Sequence, residues 1–194
     1  MEIQQQGQPL PRVKSPSRAY VQLAGLLLVA MIAFLATWLL VRGNDKSGNA
    51  TLPAVGKPAI VTEAQLHALA AQSKMPIYWA GARSGAYELT RASDGRVWVR
   101  YLQSAKQVGS PLAKFLTVGT YPSKTAFIGL KRAATRPGGL SVELDNGGVL
   151  VFNTHAAKSV YFGYPKSAYQ VEVYDASPEQ ARTLVLGGEI APIK

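Results

Sequence analysis

Apolar and polar positions alternate along this chain in three distinct ways. The first is no alternation at all. Residues 23–41 are nineteen consecutive residues without a charge, and Thr37 supplies the single hydroxyl. Wound as a helix at about 1.5 Å per residue, the run covers roughly 30 Å, the thickness of a bilayer's hydrocarbon core. A buried helix of a water-soluble fold normally keeps a polar stripe, and this one is apolar all round. Tyr20 and Trp38 stand near its ends, where amphipathic rings favour the headgroup level, and Arg18 and Arg42 can snorkel outward. A secretory signal has an apolar stretch of about 7–15 residues ending in small residues before the cut. Here the run is longer and ends in "WLLVRG". The pattern predicts an uncleaved membrane helix over residues 21–41.

The second pattern has the helical period. In "TEAQLHALAAQSK" Thr62 and Gln65 have capping-box spacing, Leu66, Leu69 and Ala70 form a stripe, and Pro76 closes the element. "SKTAFIGLKRAATR" predicts a second helix with Ser123 as N-cap, Phe127, Leu130 and Ala134 inward, and Pro137-Gly138-Gly139 as its stop. "SPEQARTLVL" predicts a third, with Ser177 capping, Pro178 in the first turn and Gln180 completing the box.

The third pattern has period two. "GAYELTRASDGRVWVRYL" reads as a hairpin whose register follows from its faces. A two-residue Asp94-Gly95 turn mixes apolar and charged residues on both faces. A three-residue Ser93-Asp94-Gly95 loop with Gly95 left-handed gathers Tyr87, Leu89, Val97, Val99 and Tyr101 on one side and sets Glu88 opposite Arg100. In "LSVELDNGGVLVFN" the same reasoning favours a two-residue Asn146-Gly147 turn, aligning Val142 and Leu144 with Val149 and Val151. Further strands are expected at residues 77–81, 115–121, 159–164 and 169–175. About eight short strands and three helices, mostly hairpin-joined, predict an α+β domain with antiparallel sheet following a single transmembrane helix. A helix, a hairpin with an Asp-Gly or Asn-Gly turn, and a strand ending "GTYP" or "GYP" occur twice, which raises an internal repeat.

The pieces assemble into four segments. Residues 1–20, rich in Gln, Pro and Ser, read as a disordered cytoplasmic tail, and residues 21–41 as the membrane helix. Residues 42–60 read as a flexible linker carrying the sequon Asn49-Ala50-Thr51, a site that crowds the membrane. Residues 61–194 form the folded head. Arg12, Lys14 and Arg18 precede the span against Glu2 alone, so the positive-inside rule predicts a cytoplasmic N-terminus and an extracytoplasmic head.

Charge narrows the chemistry. From Arg42 onward there are eighteen Lys and Arg against ten Asp and Glu, +8 of the chain's +10. That balance suits an anionic polymer, and it equally serves solubility. With no cysteine, Cys nucleophiles and Cys-ligated zinc or iron–sulfur centres are excluded. His67 follows Glu63 by one helical turn, and Glu143 and Asp145 sit at period two beside a turn; both pairs read as solvated surface. His155, at a strand end, is the residue around which a hydrolase or transferase acting on envelope polymers would be built, with a nearby carboxylate or hydroxyl. No cofactor, metal or catalytic set is assigned. Lys131, Arg132 and Arg136 suit the last turn of a helix dipole. The candidate binding residues are Arg96, Trp98 and Arg100, which point away from the core on one strand. A Trp between two guanidiniums can stack on a ligand while the arginines take anionic groups; equally, it can be covered and packed by arginine stems.

The runs "PIYWAG", "AYELTRASDGRVWVRYL" and "FLTVGTYP" resemble an uncharacterised family of N-anchored single-pass membrane proteins from high-GC bacteria. The resemblance covers most of residues 62–187, implies a bacterial cell-envelope setting, and carries no activity or site residue across. The expectation is therefore a binding or assembly module at the envelope. Its partners would be the lipid bilayer through residues 21–41 and either an envelope protein or an anionic polymer, with nucleic acid not expected.

Overall fold

The computed structural model describes residues 53–73 and 75–193. The predicted tail, the membrane helix and the sequon lie outside the described residues. Among the described residues, no helix is long and apolar enough to cross a membrane.

Ten strands and three helices make an α+β domain. An eight-stranded antiparallel sheet runs β1 (Ala59–Val61), β3 (Ala86–Arg91), β4 (Val97–Leu102), β5 (Thr117–Pro122), β9 (Tyr169–Tyr174), β8 (Ser159–Gly163), β7 (Val149–Asn153), β6 (Gly139–Glu143). β2 (Tyr78–Trp79) pairs with β10 (Ala191–Pro192) in a small second sheet. β1 begins inside the stretch expected to be linker, and the Gly56 N–H already donates to the Arg91 carbonyl. β1 and β10 were not legible, because three residues and two residues are too few to show a period.

The two sheet faces have different cover. On the first, α1 (Glu63–Gln72) lays Leu66 and Leu69 onto Tyr87, Leu89, Val97 and Val99. On the same face α3 (Pro178–Leu186) sets Ala181, Leu184 and Val185 against Val118, Val160, Phe162, Val171 and Val173. On the second face α2 (Ala126–Ala134) places Leu130 on Val149 and Val151. That helix covers the β6–β8 end of its face.

Local chemistry explains most boundaries. The Thr62–Gln65 capping box is complete in both directions. At α3 the Ser177 side chain accepts from the Gln180 N–H, and Pro178 occupies the first turn as expected. The reciprocal bond differs, because the Asp175 carboxylate, two residues upstream, takes the Ser177 N–H at 2.8 Å. At α2 the N-cap is Thr125, and Ser123 contributes its carbonyl to the Ala126 N–H in a preceding turn.

The first hairpin has the three-residue loop. Arg91 faces Val97, Glu88 faces Arg100, and Gly95 is left-handed at φ +86°. The second corrects the two-residue expectation. Val142 pairs with Leu150 and Glu143 with Val149, leaving a three-residue Asp145-Asn146-Gly147 loop with Gly147 at φ +77°. Facial alternation misleads there because β7 is apolar on both sides, Leu150 meeting one core and Val149 and Val151 the other. Its partner β6 is an exposed edge strand, so the aliphatics of β6 exert no demand on register.

Candidate functional site

Beyond α2, the second face over β4, β5 and β9 is crossed by the residue 109–115 loop. Register sets a row of residues straight across this face: Trp98 opposite Gly119, Gly119 opposite Glu172, and Glu172 opposite Tyr161. A second row runs Glu88, Arg100, Thr117, Tyr174, Ser159. Alternation along each strand leaves these side chains on the side away from Val99, Val118 and Val173, which fill the opposite core.

Glu172 is the hub. Its Oε1 accepts from the Ser159 hydroxyl at 2.7 Å and the Tyr161 hydroxyl at 2.9 Å, and its Oε2 accepts from the Tyr121 hydroxyl. The Tyr121 oxygen in turn accepts from the Trp98 indole N–H at 2.9 Å. Burial first, then the charge of Glu172, pushes the Tyr161 phenol up to about 12; burial, then the hydrogen bond to Glu172, raises that of Tyr121 as well. Both tyrosines therefore remain protonated donors throughout the neutral range. Gly119 permits the arrangement: a Cβ there would stand 2.5 Å from the Tyr121 hydroxyl oxygen and 3.1 Å from Trp98 Cδ1. Here the glycine serves close approach rather than an unusual backbone angle.

The structure brings Arg96, Trp98 and Arg100 onto this face and shows what each does there. Arg96 bonds the adjacent Asp94 carboxylate at 2.8 Å and lies over the Trp98 ring, 5.4 Å from its centroid. Those hydrogen bonds hold the Asp94 carboxyl below the usual carboxylate range. Arg100 donates to Glu88 Oε1 at 2.8 Å and to the Ser110 carbonyl at 2.9 Å. Glu88 is only 1% exposed, and its second oxygen accepts from the Gly109 N–H. The Glu88–Arg100 pair therefore pins residues 109–110 over the sheet.

Two hollows flank this machinery and share Tyr174 as a wall. The smaller, about 310 Å³, lies between Trp98, Arg100, Thr117, Gly119 and Glu172 on the sheet and the residue 110–115 loop. The Tyr174 hydroxyl donates to the Ala113 carbonyl and holds that loop down. The larger, about 670 Å³, opens toward the end of α2, with Arg136, His155, Lys158 and Tyr161 among its lining.

The remaining sequence candidates are elsewhere. His67 stacks edge-on against Trp79 and sits 3.7 Å from Glu63. His155 lies on an exposed turn, its N–H bonded to the Asn153 side chain and its ring against Gly138. Glu143 and Asp145 are exposed. Lys131 lies over the Phe127 ring at the end of α2. Among the described residues, no three His, Asp or Glu side chains group to hold a metal ion.

Sequence reasoning missed Glu172, Tyr121, Tyr161, Ser159 and Gly119. Two signals were present: a glycine inside a strand pattern, and a lone acid inside "YQVEVY". Neither identifies a site until β9 is known to lie between β5 and β8. No family model, curated protein or solved structure matches the chain.

Proposed function

We propose that the chain is a membrane-anchored, extracytoplasmic binding module of the bacterial cell envelope that takes an envelope polymer on the second face of its sheet. The observation that carries this reading is the Trp98–Gly119–Glu172–Tyr161 row, a half-buried aromatic and polar surface in mid-sheet that borders a hollow under the residue 110–115 loop. Water-facing sheet positions are usually single, unconnected polar side chains. Here five side chains on four strands form one bonded network beside two hollows. The membrane anchor rests on the apolar run at residues 23–41 and the arginine and lysine excess before it. His155 pairs with no carboxylate among the described residues, and the Ser159 and Tyr161 hydroxyls that line the same hollow donate to Glu172 instead, so the geometry favours binding over hydrolysis or transfer.

We also read the head as an internal repeat. The succession helix, three-residue-turn hairpin, strand occurs as α1, β3–β4, β5 and again as α2, β6–β7, β8, on either side of β9. A half-turn about β9 relates them and puts α1 and α2 on opposite faces. With α3 covering β8 and β9 on the first face, the second face over β4 and β5 is the quarter crossed by the residue 109–115 loop instead of a helix.

The full-length chain should co-sediment with purified, protein-free cell-wall polymer. Trp98→Ala should cut the bound fraction several-fold, while Lys166→Ala with Lys124→Ala, exposed and away from the face, should leave it within twofold. An alkaline phosphatase fusion after Lys194 should be active. Loss in the lysine variant with Trp98→Ala unaffected reduces the reading to non-specific basic charge, and an inactive fusion overturns the topology.

A further inference from the structure

We infer that the smaller hollow recognises a neutral sugar ring of the bound polymer. This rests on the second face being the ligand face, and it specifies what that face reads.

The walls set the shape. The hollow's volume, about 310 Å³, lies at the small end of the roughly 300–1,000 Å³ typical of ligand sites, room for one ring unit and its substituents. Trp98 forms one wall. Its N–H is already bonded to Tyr121, and Arg96 lies over the ring without lining the hollow. What the indole offers the hollow is an apolar platform with a negative π face. A sugar ring presents a matching surface, a patch of slightly positive C–H groups on one side and hydroxyls around its rim.

The polar groups complete the match. A carboxylate has about four acceptor sites, and Glu172 fills three of them with hydroxyl donors. The fourth is open to a ligand hydroxyl. Arg100 has five N–H donors. It directs NH1 to Glu88 and NH2 to Ser110, which leaves further donors beside the same hollow. A donor and an acceptor side by side are what neighbouring hydroxyls require.

Charge excludes the alternatives. An anionic group would meet the Glu172 carboxylate, which pairs with no cation among the described residues, while the charge of Arg100 is already balanced by Glu88. A cation would have to displace the three hydroxyl donors that already hold Glu172, and Lys114 lies over the Phe115 ring at the same hollow. Moving an uncompensated charge of either sign into such a site is costly. The neutral, polyhydroxylated ligand remains.

The test titrates the full-length chain with two soluble neutral oligosaccharides, chitotetraose and maltotetraose, and with polyphosphate as the anionic comparator, by calorimetry. One neutral oligosaccharide should bind saturably, with an affinity changing less than twofold between 50 and 500 mM salt, whereas a polyanion contact weakens steeply over that range. Trp98→Ala and Glu172→Gln should each weaken it at least tenfold. Trp98→Phe keeps an aromatic face while losing the N–H and part of the ring area, so it should retain more affinity than the alanine variant and serves if that variant does not fold. Binding of polyphosphate alone, or of neither probe while wall polymer still co-sediments, overturns the sugar inference and leaves the binding module standing. Loss of co-sedimentation by the wild-type chain overturns both.

Discussion

Glu88 is the residue on which the site's outer wall depends. A carboxylate 1% exposed, bonded to a guanidinium 19% exposed and to one backbone N–H, is an ion pair that cannot be halved cheaply. Removing one partner of a buried pair typically costs about 3–5 kcal/mol, because the other charge is stranded. Glu88→Ala should lose an amount in that range in urea denaturation and release the loop that begins at Gly109. Arg96→Ala breaks a pair about half exposed on both sides, which water and salt screen, and should cost far less. Similar losses from the two variants would mean that the Glu88 pair is not structural. Residue-level legibility was uneven for a physical reason. Glu88 opposite Arg100 followed from the hairpin register, since both partners lie on adjacent strands of one local unit. Glu172 gained its meaning only from strands distant in sequence.

At the scale of elements, turn and cap chemistry was the most readable layer. Gly95 was assigned its left-handed backbone from the demand that one face of the hairpin be apolar, and it stands at φ +86°. Gly95→Val should destabilise the head by about 1–3 kcal/mol, the usual cost of a strained backbone at a non-glycine residue. A new Cβ would also approach Pro122 Cγ at 3.3 Å. Thermal unfolding checks this, and an unchanged midpoint would contradict it. The second hairpin shows the limit of the method. Its strand β7 is buried on both faces, so the alternation that fixes register elsewhere carries no information, and the local turn geometry prevails with the same three-residue form.

At the scale of the whole molecule, the decisive event is the insertion of β9 between β5 and β8. It joins two locally built meanders into one sheet and creates the face on which Trp98, Tyr121, Glu172 and Tyr161 meet. Sequence reading reached the α+β class and the three helices because those depend on local periodicity. It did not reach the order of strands, which depends on contacts between segments tens of residues apart. The net positive charge, by contrast, was visible at once, but not that two of its carriers, Arg96 and Arg100, are paired with acids.

The central claim is that the ligand sits on the second face over β4, β5 and β9. Amide hydrogen exchange of the full-length chain, with and without purified cell-wall polymer, tests it most directly. Exchange should slow in residues 105–116, whose loop walls the smaller hollow, and stay unchanged in β6 and α1. Slowing confined to β6 or to the α1 and α3 face, with residues 105–116 unaffected, would contradict the account.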